Sequence, residues 1–351
     1  MQARRRAWAG SHFLRGLTAA ADSNNTPSTM LAVRPLQTGG PEVMKLEEHA
    51  TPLPGPGEAL IRVEAAGVNF IDIYQRSGQY KVPTPMPLGM EGAGVVEAVH
   101  QGVSSVQPGD RVAWASGPGS YATAVIIAAE RLVPVPAEVE LKTAAAVMLQ
   151  GMTAHYLCNA TYPLRAGETC LVHAAAGGVG LLLCQMAKKI GARVIGTVST
   201  TDKARMAREA GADEVIVYSQ IDFLPETRRL TDGKGVAVVY DSIGKDTWLR
   251  SLDCLSPRGT LALYGQSSGA VPPFDPQLLA QKGSLYLTRP TLGHYTASRE
   301  ELLSRAGDVL GAIRRGALNV TIGGTYPLAN VAEAHRALAA RETTGKLVLI
   351  P

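Results

Sequence analysis

The run Cys170-Leu171-Val172-His173-Ala174-Ala175-Ala176-Gly177-Gly178-Val179-Gly180 decides the fold. Residues with strand character pass into a stretch of small side chains, and residues 181–190 then carry apolar positions at helical spacing. Against the pattern G-x-G-x-x-G, the first position is Ala175, and Gly177 and Gly180 fill the other two. A strand, a turn without side-chain bulk and a helix N-terminus together suit a pyrophosphate: the backbone approaches the phosphates and the positive end of the helix faces them. A plain strand-to-helix turn uses the same residues, so the context has to decide.

That context is a βα series. From Cys170 onward apolar strands alternate with helical segments, with strands expected at 170–173, 193–198, 214–218, 236–240, 260–264 and 284–288. Six is the number of strands in a full dinucleotide-binding sheet, which predicts an α/β fold with a doubly wound parallel sheet. Upstream, Gly and Pro punctuate short strands at 30–36, 59–65, 93–99, 111–115 and 121–128, the pattern of a β-rich domain. Helical spacing at 142–158 marks the passage between the two. Beyond Pro290 the sequence predicts one long helical stretch, a turn at Tyr326-Pro327-Leu328, a short amphipathic helix at 331–341 and a last strand at 346–350. The expected division is 30–150 for the first domain, completed by about 318–351, then 151–290 for the nucleotide domain and 291–351 for the helix and the return.

Composition restricts the rest. The chain is 46% hydrophobic and 18% charged, ordinary globular values, and its apolar runs fall short of the roughly 20 residues that cross a bilayer. The net charge of +4 is concentrated at the start, where Arg4, Arg5, Arg6 and Arg15 face only Asp22. A nearly neutral body argues against nucleic acid as a partner. Four scattered cysteines make no disulfide framework and fit a reducing compartment. Residues 1–29 read either as a mitochondrial transit peptide or as an extension upstream of Met30, so the expected location is cytoplasmic, or the mitochondrial matrix if that segment directs import.

The second strand of the series reports on the coenzyme. NAD enzymes place Asp or Glu about 20 residues after the glycine run, on the ribose 2′-hydroxyl. Here residues 194–198 lead into Ser199-Thr200-Thr201, followed by Lys203 and Arg205, hydroxyls and cations that suit a 2′-phosphate. Asp202 dissents, but it falls where a helix N-cap belongs. NADPH is the coenzyme expected, with Lys203 and Tyr218 as phosphate contacts. The ends of the later strands, Asp241-Ser242-Ile243-Gly244, Tyr264-Gly265-Gln266-Ser267 and Arg289-Pro290-Thr291, lie where such sheets bind ligands.

Four stretches carry a family resemblance: Gly67-Val68-Asn69-Phe70-Ile71-Asp72-Ile73-Tyr74 with Arg76-Ser77-Gly78, the segment from Gly167 to Lys188, Tyr240-Asp241-Ser242-Ile243-Gly244, and Thr344-Gly345-Lys346-Leu347-Val348-Leu349-Ile350. In these the chain resembles the zinc-independent NADPH:quinone oxidoreductases, of the bacterial and ζ-crystallin type, in the medium-chain dehydrogenase/reductase superfamily. The likeness runs over residues 30–351. It implies a GroES-like β-rich catalytic domain joined to a Rossmann domain, with the site in the cleft between them. Asn69, Tyr74 and Tyr80 would face the nicotinamide and a quinone or related electrophilic acceptor. Phe70, Thr153, Gly177, Gly178, Val179, Gly180, Ser199, Thr200, Lys203, Tyr218, Ser242, Tyr264, Gly265, Ser267, Arg289 and Arg341 would hold NADPH. The sixth strand of the sheet would pair across a homodimer interface.

Zinc relatives carry a Cys in the first motif, a Gly-His-Glu triplet and four close cysteines. Here the triplet is Gly89-Met90-Glu91, and no two cysteines lie within ten residues, so no metal is expected. Other readings compete. Gly265-Gln266-Ser267-Ser268-Gly269 fits the hydrolase elbow G-x-S-x-G, but that elbow runs straight into a helix, and Pro272-Pro273 follow instead. An enone or 2-alkenal reductase would use the same coenzyme geometry. A coenzyme-binding structural or RNA-binding protein with little catalysis is the alternative of another class.

Overall fold

The computed structural model describes residues 28–351, and the transit-peptide or extension reading falls almost wholly outside them. The chain opens on a β hairpin, β1 (Thr29–Val33) with β2 (Leu46–Ala50). Then come β3 (Glu58–Val68), α1 (Phe70–Arg76), β4 (Glu91–Val99), β5 (Arg111–Ala115), β6 (Ala124–Ala128) and β7 (Val133–Pro134). β3 is the hub, bonded antiparallel to β4 and β6 and, from the far end of the chain, to the last strand.

α2 (Leu141–Tyr156) leads out of this sheet and ends in a π-helical turn, Leu157–Thr161. Its residues 144–148 and 151–154 are almost all buried, because the helix has sheet on one side and helices on the others. Gly151 permits close approach to a later helix: a Cβ there would lie 2.8 Å from Val309 Cγ1.

The second sheet alternates with helices: β8 (Thr169–Val172), α3 (Gly178–Ile190), β9 (Arg193–Val198), α4 (Thr201–Glu209), β10 (Glu214–Val217), α5 (Phe223–Leu230), β11 (Val236–Asp241), α6 (Trp248–Asp253), β12 (Leu255–Leu263), α7 (Gln277–Gln281) and β13 (Tyr286–Thr288). All six strands are parallel, in the order β10-β9-β8-β11-β12-β13. This is the doubly wound Rossmann arrangement, whose strand order reverses between β8 and β11. The near-continuous apolar sequences of β8, β9 and β11 follow from burial on both faces.

The remainder differs from the sequence expectation in two places. The long helical stretch is broken into α8 (Leu292–Tyr295) and α9 (Arg299–Arg314), the second started by Ser298, whose hydroxyl accepts the Glu301 N–H at 3.1 Å. Of the turn expected at 326–328, Tyr326 and Pro327 instead end a strand, β14 (Ile322–Pro327), and the turn falls at Leu328–Asn330, before α10 (Val331–Ala339). β14 pairs parallel with β15 (Lys346–Ile350), and β15 pairs with β3, so the chain's end closes the first sheet.

Candidate functional site

The glycine loop joins β8 to α3, and its glycines differ in purpose. Gly177 is the N-cap of α3, and a Cβ on it would meet only the Ala174 carbonyl, at 3.2 Å. Gly180 is pressed onto the turn: a Cβ would overlap the Ala174 oxygen and lie 2.8 Å from Ala175 Cα. The space beside Gly178 is filled by the amide of Gln150, from α2. One glycine thus leaves the helix start open, the second admits Gln150 and the third packs helix on strand. Open amides at the head of α3, with Val179 half-buried beside them, fit a coenzyme pyrophosphate.

The expected binding residues ring this loop at the carboxyl ends of the strands. Ser199 and Thr200 follow β9, and Thr200 caps α4, its Oγ1 accepting the Lys203 N–H at 3.3 Å. The cap expected at Asp202 is therefore wrong; Asp202 lies in the first turn, where a carboxylate meets the helix dipole. Lys203 Nζ donates to the Arg341 carbonyl at 2.6 Å, and the Arg341 guanidinium donates to the Ser267 carbonyl at 2.9 Å. Burial lowers the Lys203 pKa, with Glu342 opposing. The same segment returns to the glycine loop through the Gly345 N–H on the Ala176 carbonyl, at 3.1 Å. Lys203, expected at the phosphate, and Arg341, expected in the coenzyme set, thus spend donors on backbone carbonyls that an anion could replace.

Burial raises the Tyr264 phenol above its usual range, with the nearby Ser242 opposing the shift. A Cβ on Gly265 would lie 2.5 Å from the Ser242 carbonyl, so this turn requires glycine. Ser267 sits on a loop held by its N–H to the Ser242 carbonyl, with no helix following directly, so the hydrolase elbow is absent. Thr153 is buried on α2, its hydroxyl on the Leu149 carbonyl. Tyr218 is half exposed beyond β10 and is tied to the group only by its backbone, through the Val198 carbonyl.

From α1 and its flanks, beside the first sheet, come Asn69, Phe70, Tyr74 and Tyr80. The Tyr74 hydroxyl accepts the Gln266 N–H at 3.3 Å, and the Tyr80 hydroxyl accepts from Arg289 at 3.3 Å, so both reach across to the Rossmann sheet. The two rings lie 5.2 Å apart, with Phe70 6.1 Å from Tyr74. Burial pushes the Tyr74 phenol up to about 12, which keeps its proton on at neutral pH.

Asn69, expected to face the nicotinamide and acceptor, has its amide committed within the protein. Its Nδ2 donates to Glu91 Oε2 at 2.9 Å and to the Gly67 carbonyl at 3.4 Å, while its Oδ1 accepts from Lys346 Nζ at 2.7 Å. Lys346 also pairs with Glu91, both wholly buried. Flipping the amide would set its nitrogen on the ammonium and its oxygen on the carboxylate, so charge fixes the orientation. Glu91 Oε1 takes the Leu149 N–H of α2 at 2.6 Å. This cluster joins α1, β4, β15 and α2, and Lys346, Glu91 and Gln150 are the members that sequence reading missed as site residues. The one available signal was a Lys opening a strand otherwise made of Leu, Val and Ile. Among the described residues no three His, Cys, Asp or Glu side chains are placed to hold a metal ion.

Comparison with known proteins agrees with this architecture. Residues 55–137 match the alcohol dehydrogenase GroES-like domain, and residues 178–305 match the zinc-binding dehydrogenase domain. A quinone oxidoreductase of Pseudomonas aeruginosa is 51% identical over 315 residues, spanning 89% of this chain and 97% of that protein. A 2-haloacrylate reductase of a Burkholderia species is 43% identical over 89% of this chain and 96% of its own length. Among solved structures, the Escherichia coli quinone oxidoreductase complexed with NADPH superposes with a TM-score of 0.89 at 43% identity, covering 92% of this chain and all of that one. A mycobacterial protein complexed with NADPH gives 0.89 at 48% identity, with the same coverage. With its GroES-like and Rossmann units and this degree of identity, the chain belongs to the quinone oxidoreductases of the medium-chain dehydrogenase/reductase superfamily.

Proposed function

We propose that the protein reduces quinones with NADPH, two electrons and a proton from the coenzyme side and a second proton from solvent yielding hydroquinone and NADP⁺. The observation that carries this reading is the cleft itself: an open glycine loop on one side, and on the other a protonated Tyr74 bound to Gln266, with the Tyr80 ring tilted beside it. NADPH, when bound, supplies the hydride. The protein's share is to orient, exclude water and stabilise the oxygen that gains charge. Tyr74 accepts from Gln266 and keeps its own O–H for the acceptor oxygen; Asn69, its donors committed, positions α1 instead. Tyr80 offers a ring face to a flat acceptor, and Phe70, beside Tyr74, belongs to the coenzyme set.

Lys203 and Arg341 hold the coenzyme phosphates, with Gly177, Gly178, Val179 and Gly180 beneath the pyrophosphate. Thr153, Ser199, Thr200, Tyr218, Ser242, Tyr264, Gly265, Ser267 and Arg289 complete the coenzyme set. Residues 30–150 with 318–351 form the acceptor-side domain and 151–290 the coenzyme domain, a division supported by β15 pairing with β3. The protein acts as a homodimer through β13 and works in the cytoplasm, or in the matrix if residues 1–29 direct import. Among the described residues no helix is long and apolar enough to cross a membrane.

The haloacrylate reductase relative supports a second reading, hydride addition to a small unsaturated acid or carbonyl. Steady-state rates with a simple benzoquinone, 2-chloroacrylate and a 2-alkenal separate the two. A higher kcat/KM for the quinone is expected; preference for chloroacrylate or the alkenal would move the substrate class.

A further inference from the structure

One buried acceptor in the cleft lacks a partner. Gln150, on α2, donates from Nε2 to Asn69 Oδ1 at 3.4 Å, but its Oε1 is enclosed and bonded to nothing among the described residues. The amide lies against Gly178, the first residue of α3, in the space a side chain there would occupy. Gln150 therefore stands between the phosphate-binding end of the Rossmann domain and Asn69. A desolvated carbonyl oxygen without a hydrogen bond is costly, and a ligand that brings a donor recovers that cost.

We infer that Gln150 is a coenzyme-binding residue whose Oε1 accepts a hydrogen bond from the nicotinamide riboside, while its Nε2 ties that contact to Asn69. The inference rests on the reading that NADPH lies across the glycine loop. A coenzyme running from the amides of α3 toward Tyr74 puts its nicotinamide half beside Gly178. That half carries neutral donors, ribose hydroxyls and a carboxamide N–H. A quinone offers only lone pairs, which a carbonyl oxygen repels, so the coenzyme and not the acceptor is the partner. The requirement for glycine at 178 then arises from Gln150 and not from the pyrophosphate.

The test is equilibrium fluorescence titration of the full chain with NADPH and with adenosine 2′,5′-bisphosphate, which lacks the nicotinamide half. Gln150→Met should weaken NADPH about tenfold and leave the bisphosphate Kd unchanged, the latter also showing that the variant is folded. An unchanged NADPH Kd, or an equal loss for both ligands, overturns the assignment. Gly178→Ala supplies an independent check: it should weaken NADPH in the parent chain and far less in a Gln150→Ala background. Equal losses in both backgrounds would return the glycine to the pyrophosphate and contradict the inference. Failure of the unaltered chain to bind either ligand would remove the coenzyme reading itself, and this inference with it.

Discussion

Tyr74 lies on α1 and Asn69 is its N-cap, yet their surroundings give them different work. Tyr74 keeps a free O–H in an apolar, aromatic setting; Asn69 has each amide proton on a protein acceptor. Tyr74→Phe keeps the ring and removes the donor, so steady-state kcat/KM for the acceptor should fall about tenfold while the NADPH Kd holds; an unaltered rate would remove Tyr74 from the chemistry. The proposed phosphate role of Lys203 makes a prediction on coenzyme choice. Its ammonium now rests on the Arg341 carbonyl, a neutral partner that a phosphate readily replaces. Lys203→Met should weaken NADPH roughly ten- to hundredfold and leave NADH nearly unchanged by titration, as expected for a lost charge-assisted hydrogen bond. Equal losses for both would place the lysine away from the 2′-phosphate.

Elements were legible in proportion to their periodicity. β5 and β9 lie where the sequence placed them, because alternation or continuous burial left one reading. β14 was not legible: Ile322-Gly323-Gly324-Thr325-Tyr326-Pro327 carries the residues of a turn, and only pairing with β15 makes it a strand. The cluster that binds four elements together was hidden for another reason. Glu91 and Lys346 are far apart in sequence, and both residue types normally face water. The glycine loop was legible between β8 and α3, but the occupant of the space beside Gly178 comes from α2. Lys346→Met should strand the Glu91 carboxylate and cost about 3–5 kcal/mol in urea unfolding. Adding Glu91→Gln should restore much of that, and an additive double variant would contradict the pairing.

A second buried element-to-element link predicts pH dependence. Asp72 on α1 accepts from the Tyr121 hydroxyl at 2.8 Å and from the Asn69 N–H at 2.8 Å, and Tyr121 meets His335 of α10 at 3.1 Å. Burial raises the Asp72 carboxyl to about 7, against those two hydrogen bonds and Lys346. A raised carboxyl favours the folded state while protonated, so its contribution is complete below the unfolded value of 3.8 and is lost as the pH climbs through 7. His335, lowered by burial to about 3, acts oppositely: its contribution is present above 6.5 and is lost as the pH falls. Urea midpoints followed from about pH 5 to 8 should therefore decline in the parent relative to Asp72→Asn. Parallel profiles would show that Asp72 does not titrate in this range.

At the scale of the whole molecule, β13 ends the Rossmann sheet with an edge that pairs with no strand among the described residues, and Tyr286 on it is 63% exposed. An edge of this kind invites a second copy. Light scattering should find a dimer that Tyr286→Lys weakens, whereas a monomeric parent chain would remove the dimer from the account. The molecule's central property is that the start of α3 and the aromatic side chains Tyr74 and Tyr80 face one another across the two sheets, Tyr74 and Tyr80 bonding to Gln266 and Arg289. NADPH oxidation followed at 340 nm, with a simple quinone as acceptor, tests this most directly when NADH and a metal chelator are compared in parallel. Quinone-dependent oxidation that prefers NADPH and survives the chelator is the expected result. Tight NADPH binding without turnover of any quinone, or turnover abolished by the chelator, would contradict it.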